Sequence, residues 1–507
     1  MEFLSFVVSS KGLGVLASLL VSVWVARLIL KKYKPQAVLF LGGIILFTLV
    51  IIIQLVWGEI PKIAGNQYLP PDHVLNRVKS LDNPFLDIFA SIEGLFSNRV
   101  AGLGLLIMSV MGFVKYMDSV GANKALVRVG VKPLRFIKSP YAVLILAFFV
   151  GQTMKMAITS ASGLGVLLMA TMYPVLLQLG VSRAAATAVI ATTGCIDLGP
   201  ASGTGIAIVE AAGILTADGK ADMATFFIKY QLPVAIPVLI TVAILHFIVQ
   251  YRFDKKDGYI FQTGQGQAVE KNEADEIKAP SFYAVLPLIP LFLVLIINEA
   301  FILEINMLLK YVGSTVVIPA KTIGLVAAIL ISVFFTMMIE YFRSFDARKV
   351  FDSIQTVFDG MGTAFAGVIT LIVAGEVFAA GLLTTGSVNT LLDFARDAGS
   401  GVIPLTYFLQ GLITVASLLM GSGDAAIFSF VSVGTVVAEH FGAEPIAVLM
   451  PMQICSSLAR SFSPITAVVV AVSAIAGISP VEIVKRTAIP MIGGIITLTI
   501  VNTILFL

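Results

Sequence analysis

From Ala37 to Trp57 the chain reads AVLFLGGIILFTLVIIIQLVW without one charged side chain, and the closing stretch RTAIPMIGGIITLTIVNTILFL carries only the arginine that opens it. Runs of this length match the roughly 20 residues a helix needs to cross a hydrocarbon core about 30 Å thick. Backbone inside that core must satisfy its own hydrogen bonds, so a chain can span only as helices or as a closed barrel. The alternation of apolar and polar residues that marks barrel strands is absent, which leaves an all-α polytopic membrane protein. Composition agrees: 58% of residues are apolar, 12% are charged, and mean hydropathy is +0.98. A net charge of +3 gives no footprint for nucleic acid.

Apolar windows predict about ten spans, near 12–30, 37–57, 99–118, 183–213, 226–250, 283–299, 318–338, 361–382, 444–477 and 487–507. Residues 141–180 and 403–441 read differently. Each holds two apolar arms around a small-residue tip, TSASG at 159–163 and MGSGD at 420–424. Such tips suit re-entrant hairpins buried at mid-membrane better than solvated loops. With both regions as hairpins, the loops assigned to the cytoplasm hold more than half of the 33 Lys and Arg, as short cytoplasmic loops do. The charge rule fixes the orientation, although two full spans in either region leave it unchanged. No cleavable signal is expected, because the cluster Lys31, Lys32 and Lys34 follows the first apolar run instead of preceding it.

The chain also repeats itself. GPASGTGIAIVEAAGI at 199–214 matches SPITAVVVAVSAIAGI at 463–478, with Pro200 over Pro464 and Gly213 over Gly477, and GFVKYMDSVGAN at 112–123 resembles GEVFAAGLLTTGSVN at 375–389. An odd number of spans per copy makes the repeats inverted: 1–250 and 281–507, joined by a polar cytoplasmic linker at 251–280. Proline lacks an amide hydrogen and clashes with the preceding turn, so Pro200 and Pro464 should break their helices at midplane. Secondary transporters place such breaks at the substrate site, where half-helix N-termini meet anionic groups and unwound carbonyls meet cations. Two breaks and two tips then converge on one pocket. The candidate substrate-binding residues are Ser160, Ser162 and Gly163, Ser202 and Thr204, Ser422 and Gly423, and Arg460, Ser463 and Thr466.

Ionisable groups inside spans each need a reason. Arg460 either pairs bidentately with a substrate carboxylate or is held by Asp197 or Asp424. Lys155 either meets substrate, snorkels, or holds a carboxylate. Asp197 and Asp424 are candidates for cation or proton coupling, which makes sodium or a proton the expected coupling ion, with no other cofactor or metal. Glu376 and Lys115 are expected to pair as scaffold, and Glu210 to be a solvated or interfacial acid toward the outer end of its helix. Cys195 and Cys455 lie in apolar surroundings and read as packing residues.

The order of these elements, with GLGVLLMATMYPVLLQLGVSRAAATA at 163–188, GSGDA at 421–425, SPITAVVVAVSAIAGISPVEIVKRTAIP at 463–490 and RLILKKYKPQAVLFLGG near the N-terminus, resembles the DcuC family of anaerobic C4-dicarboxylate carriers within the wider ion-transporter superfamily. The likeness runs over nearly the whole chain. It implies a bacterial inner-membrane carrier of succinate, fumarate or malate working by exchange or efflux, an elevator-type motion of a transport subdomain, and a homodimer built on a scaffold subdomain. Asp197 and Asp424 depart from the pattern expected of the family, and they point to a cation partner or to a substrate carrying an amine. The alternative reading is therefore a sodium- or proton-coupled transporter of another organic anion or amino-acid-like substrate. No phosphate loop or H-E-x-x-H motif supports a pump or an intramembrane enzyme, and paired broken helices favour alternating access over an anion channel.

Overall fold

The computed structural model describes residues 9–507 except 32, 59, 70–72, 138, 217–218, 260–278, 297–298, 313–322, 398 and 400. Its helices are α1 (Ser10–Leu30), α2 (Pro35–Val56), α3 (Pro84–Ser119), α4 (Ala122–Val131), α5 (Pro140–Lys155), α6 (Ala161–Gln178), α7 (Arg183–Thr192), α8 (Gly203–Ala211), α9 (Met223–Lys256) and α10 (Ser281–Ile296). They continue with α11 (Glu299–Tyr311), α12 (Leu325–Ser344), α13 (Ala347–Thr384), α14 (Ser387–Asp397), α15 (Val402–Met420), α16 (Gly423–His440), α17 (Pro445–Arg460), α18 (Ala467–Ala476) and α19 (Pro480–Phe506). Among the described residues no β-strand forms beyond an isolated bridge from Leu215 to Ala221, and nine helices are long and apolar enough to cross a membrane. Two of those nine, α6 and α15, are arms of the expected hairpins, while each half of the two broken helices is too short to qualify.

One succession of elements occurs twice. A long helix (α3, α13) leads to a short one (α4, α14), then to two helices joined at a tight tip (α5–α6, α15–α16), an interrupted helix (α7–α8, α17–α18) and a long helix (α9, α19). Both α3 and α13 carry a π-helical turn, at Val100–Gly104 and Phe365–Ile369, a local widening that re-aims a helix. The long helices begin earlier than hydropathy alone predicts, at Pro84 rather than 99 and Ala347 rather than 361. The first turns of α3 are capped by Asn83, whose side chain accepts from the amides of Phe85 and Leu86, so helix continues through polar sequence that hydropathy passes over. The short helices α4, α11 and α14 were not expected from apolar windows, because each is too short to register as a span. The linker expected at 251–280 lies largely outside the described residues; where described, it continues α9 as far as Lys256.

Packing sorts the helices into two groups. In one, α2 and α3 lie against α13. A Cβ placed on Gly43 would stand 2.6 Å from the Val377 backbone, and one on Gly360 would stand 2.7 Å from Gly112 Cα, so only small residues permit these close crossings. In the other group α9 packs on α19, α17 on both α16 and α19, and α6 on α18. An ion pair with a buried acid sits in each. Arg99 on α3 grips Glu376 on α13 with Nε at 2.6 Å and Nη2 at 2.7 Å. Arg486 on α19 holds Asp254 on α9 at 2.8 Å and Asp257 at 2.5 Å. Glu376 therefore pairs with Arg99 and not with Lys115. Two residues at matching places in two copies of a unit need not touch, and here the crossing of α3 and α13 brings a different residue to the acid. Glu210, expected to be a solvated or interfacial acid, stands 3.6 Å from the same arginine.

Candidate substrate site

The interrupted helix α7–α8 unwinds from Thr193 to Ser202, well before Pro200. Proline is therefore not what ends α7. The freed carbonyls are captured by side chains instead: Gly194 O by Arg460 Nη2 at 3.1 Å, Ile196 O by Gln152 Nε2 at 2.7 Å, and Asp197 O by Gln231 Nε2 at 2.9 Å and Gln453 Nε2 at 3.2 Å. Gly199 takes φ +100°, a conformation open only to glycine at low cost, and its amide donates to Gln231 Oε1 at 3.0 Å. The twin interruption spans 461–466 with Pro464 inside it. There Thr466 Oγ1 donates to Arg460 O at 2.7 Å and Ser463 Oγ to Leu418 O at 2.7 Å. Sequence reasoning missed Gln152, Gln231 and Gln453. All three are buried amides in apolar helices, and the rule applied to ionisable residues would have found them if extended to amides.

Four helices begin at the resulting cavity, whose volume is about 240 Å³. Ser160 caps α6 by accepting from the amide of Gly163 at 3.1 Å, Ser202 caps α8 through Gly205 at 3.0 Å, and Ser422 caps α16 through Ala425 at 3.2 Å. Thr466 precedes α18. In every case the cap residue and the two that follow line the cavity. Within the first turn of a helix the leading amides have no intrahelical acceptor, so four sets of donors and four positive dipole ends meet here. Ile107, Val110 and Met111 of α3, Val368 of α13 and Phe428 of α16 close the cavity on its apolar side.

The charged groups form one network. Asp197 Oδ1 receives Lys155 Nζ at 2.8 Å and Arg460 Nη2 at 2.7 Å; Oδ2 receives Ser457 Oγ at 3.1 Å and Thr204 Oγ1 at 3.5 Å. Lys155 also donates to Thr159 O. Arg460 Nη1 reaches Asp424 Oδ1 at 3.1 Å, and its buried Nε has no hydrogen-bond partner among the described residues. Two carboxylates thus face two cations. Asp197 is sealed, whereas the Asp424 side chain is 49% exposed at the cavity.

The structure brings Ser160, Ser162, Asp197, Ser202, Thr204, Ser422, Gly423, Asp424, Arg460 and Thr466 to one cavity. It places two candidates elsewhere. Ser463 is buried against Leu418, and Gly163 lines a neighbouring cavity of about 480 Å³ with Asp118 and Lys124. Ser160 and Ser162 border both spaces, so the first turn of α6 is the wall between them. Pro200 and Pro464 lie in the unwound segments. Cys195 and Cys455 are free and buried. Among the described residues no group of His, Cys, Asp and Glu has the makings of a metal site.

Two solved structures share the fold. The Neisseria gonorrhoeae efflux pump MtrF matches with a TM-score of 0.58 at 14% identity, covering 92% of this chain and 95% of that one. The Alcanivorax borkumensis YdaH transporter matches with a TM-score of 0.54 at 15% identity, covering 92% and 98%. Fold and site together define a multi-pass, all-helical membrane protein built around a polar cavity. A profile described as "C4-dicarboxylate anaerobic carrier" (DcuC) matches residues 13–507. The chain is 35% identical over 492 residues to the anaerobic C4-dicarboxylate transporter DcuC of Escherichia coli K12, covering 97% of this chain and 96% of that one. It is 34% identical over 494 residues to the "Probable anaerobic C4-dicarboxylate transporter DcuC" of Vibrio cholerae, covering 97% and 98%. The chain belongs to the DcuC family.

Proposed function

We propose that this protein is a secondary carrier of C4-dicarboxylates such as succinate, fumarate or malate, working by exchange across the bacterial inner membrane. The observation that carries the reading is the charge balance of the cavity. Lys155 and Arg460 offset Asp197 and Asp424, so the side chains leave the site near neutrality. Each helix N-terminus contributes roughly half a positive charge, and four of them sum to about the two charges of a dicarboxylate. At about 240 Å³ the cavity lies below the roughly 300–1,000 Å³ typical of drug-sized ligands, which suits a small diacid. Membership of a family whose named relatives carry C4-dicarboxylates supports the same substrate class, and an all-helical span set fits an inner membrane, since outer-membrane proteins are barrels.

Liposomes loaded with unlabelled succinate and diluted into labelled succinate should show saturable counterflow with no ion gradient imposed. Absence of exchange between any pair of C4-dicarboxylates overturns the reading. Coupling to sodium or a proton is a second reading, favoured by the half-exposed carboxylate of Asp424. Accumulation driven by an imposed sodium or proton gradient, with no counterflow in its absence, selects it instead.

The doubled succession of helices supports an inverted-repeat architecture, 1–250 against 281–507, of ten spans and two re-entrant hairpins. The group bearing the four helix ends would move as an elevator against the group built on α2, α3 and α13. In this arrangement the linker is cytoplasmic and both termini are periplasmic. A cysteine at Gln267 should then resist an impermeant thiol reagent in intact cells while one appended after Leu507 reacts. The buried native cysteines leave a low background, and equal labelling of the two sites sinks the inverted arrangement.

A further inference from the structure

The helix ends of the cavity are matched in sequence, and the charges are not. Ser160 corresponds to Ser422 and Ser202 to Thr466 at nearly constant spacing, so the caps form two equivalent pairs. The same spacing takes Lys155 to Ser417, Asp424 to Ser162, Asp197 to Ser461 and Arg460 to Ile196. No charge has a counterpart. A diacid with two identical ends needs nothing more than paired helix ends, so the one-sided acids call for a separate account.

Asp197 accounts for itself, because both of its oxygens are used inside the protein. Asp424 does not. It occupies the second residue of α16, between cap and cavity, with Oδ1 held by Arg460 and with no hydrogen-bond donor to Oδ2 among the described residues. Arg460 in turn keeps an unpartnered Nε, so its guanidinium orients the carboxylate without exhausting it. A free carboxylate oxygen opposes a bare diacid by like-charge repulsion and rewards a ligand that brings a donor to it.

We propose that Asp424 is a specificity-determining residue: its free oxygen accepts a hydrogen bond from a donor on the second carbon of a C4-dicarboxylate, so the site prefers 2-hydroxy and 2-amino diacids (malate, aspartate) to succinate. This rests on the C4-dicarboxylate reading above. The carboxylate ends of the ligand lie on the helix N-termini, and the substituent faces Asp424. A hydrogen bond to a charged group gives about ten- to hundredfold in affinity.

The test is competition of succinate, L-malate and L-aspartate against labelled ligand on purified protein, with thermal stabilisation read in parallel, for wild type, Asp424→Asn and Asp424→Ser. Serine is the residue at the matched position, Ser162. Wild type should bind malate or aspartate at least about tenfold more tightly than succinate. Which of the two leads tells hydroxyl from ammonium. Asp424→Asn keeps an acceptor but no charge, so the aspartate preference should collapse and part of the malate preference survive; Asp424→Ser should lose both while binding succinate as well as wild type or better. A wild type that favours succinate, or ratios unchanged in both variants, overturns the assignment and leaves Asp424 as a structural partner of Arg460. Binding of none of the three overturns the substrate class, and the assignment with it.

Discussion

Arg460→Lys is expected to lower transport by at least about a hundredfold while the protein still folds. The guanidinium spans three acceptors at once: Asp197 Oδ1 at 2.7 Å, Gly194 O at 3.1 Å and Asp424 Oδ1 at 3.1 Å. A lysine ammonium is a single point on a flexible stem and cannot reproduce the planar fork. Asp197 remains neutralised, because Lys155 holds the same oxygen at 2.8 Å, so the fold around the first interruption keeps its main ion pair. The second interruption loses its link to the first, and Asp424 loses the group that orients it. Uncoupling one partner of a buried charge pair costs about 3–5 kcal/mol, or roughly two to four powers of ten in an equilibrium constant. Counterflow together with thermal unfolding in detergent checks the expectation. Transport near the wild-type rate with Arg460→Lys shows that the fork has no part in the cycle and that helix ends alone hold the substrate.

The second large effect is on stability. Arg99→Met should destabilise the protein by about 3–5 kcal/mol, because it strands Glu376, whose side chain is 6% exposed, in an apolar crossing. Glu376→Leu alone should be milder, since Arg99 retains Glu210 at 3.6 Å. Replacing both, as Arg99→Met with Glu376→Leu, should recover most of the loss, because apolar residues of similar volume often substitute for a buried pair without penalty. Thermal unfolding of the four proteins closes the cycle. Additive effects of the two single changes would show that the bidentate contact contributes nothing of its own to holding α3 on α13.

The membrane class, the tips at 159–163 and 420–424 and the interruptions near Pro200 and Pro464 were legible because each leaves a local mark: length of apolar run, small residues without loop length, a proline in a span. Three things left none. The end of α7 at Thr192 is set by side chains from other helices, Gln152, Gln231, Gln453 and Arg460, which reach the unwound carbonyls only once the fold is assembled. The partner of Glu376 depends on where α3 crosses α13, which no spacing within either helix encodes. The pairing of Asp197 with both Lys155 and Arg460 joins the first hairpin, the first interruption and the second interruption. Each of those residues is costly in a membrane and so stands out in the sequence, yet which partner it takes is set by position in the assembled fold. Helix caps sit between these cases. Ser160, Ser202, Ser422 and Thr466 stand out in the sequence for their hydroxyls, but the feature they share, each standing at the start of a helix facing one space, belongs to the tertiary structure.

Leaving Asp424 without a counterpart at the matched helix end has a consequence for handedness. Paired ends with no charges would offer a substituted diacid two equivalent ways to lie, and a left- and a right-handed ligand could each find a fit by turning end over end. Asp424 stands at one end only. In the proposed pose, with the two carboxylates on the helix termini, its free oxygen would supply a third point of attachment nearer one end than the other, and three points so placed distinguish mirror images. One enantiomer reaches all three at once; the other reaches the third only by giving up one of the first two. Matched helix ends around one cavity would thus discriminate between enantiomers through a single unmatched aspartate.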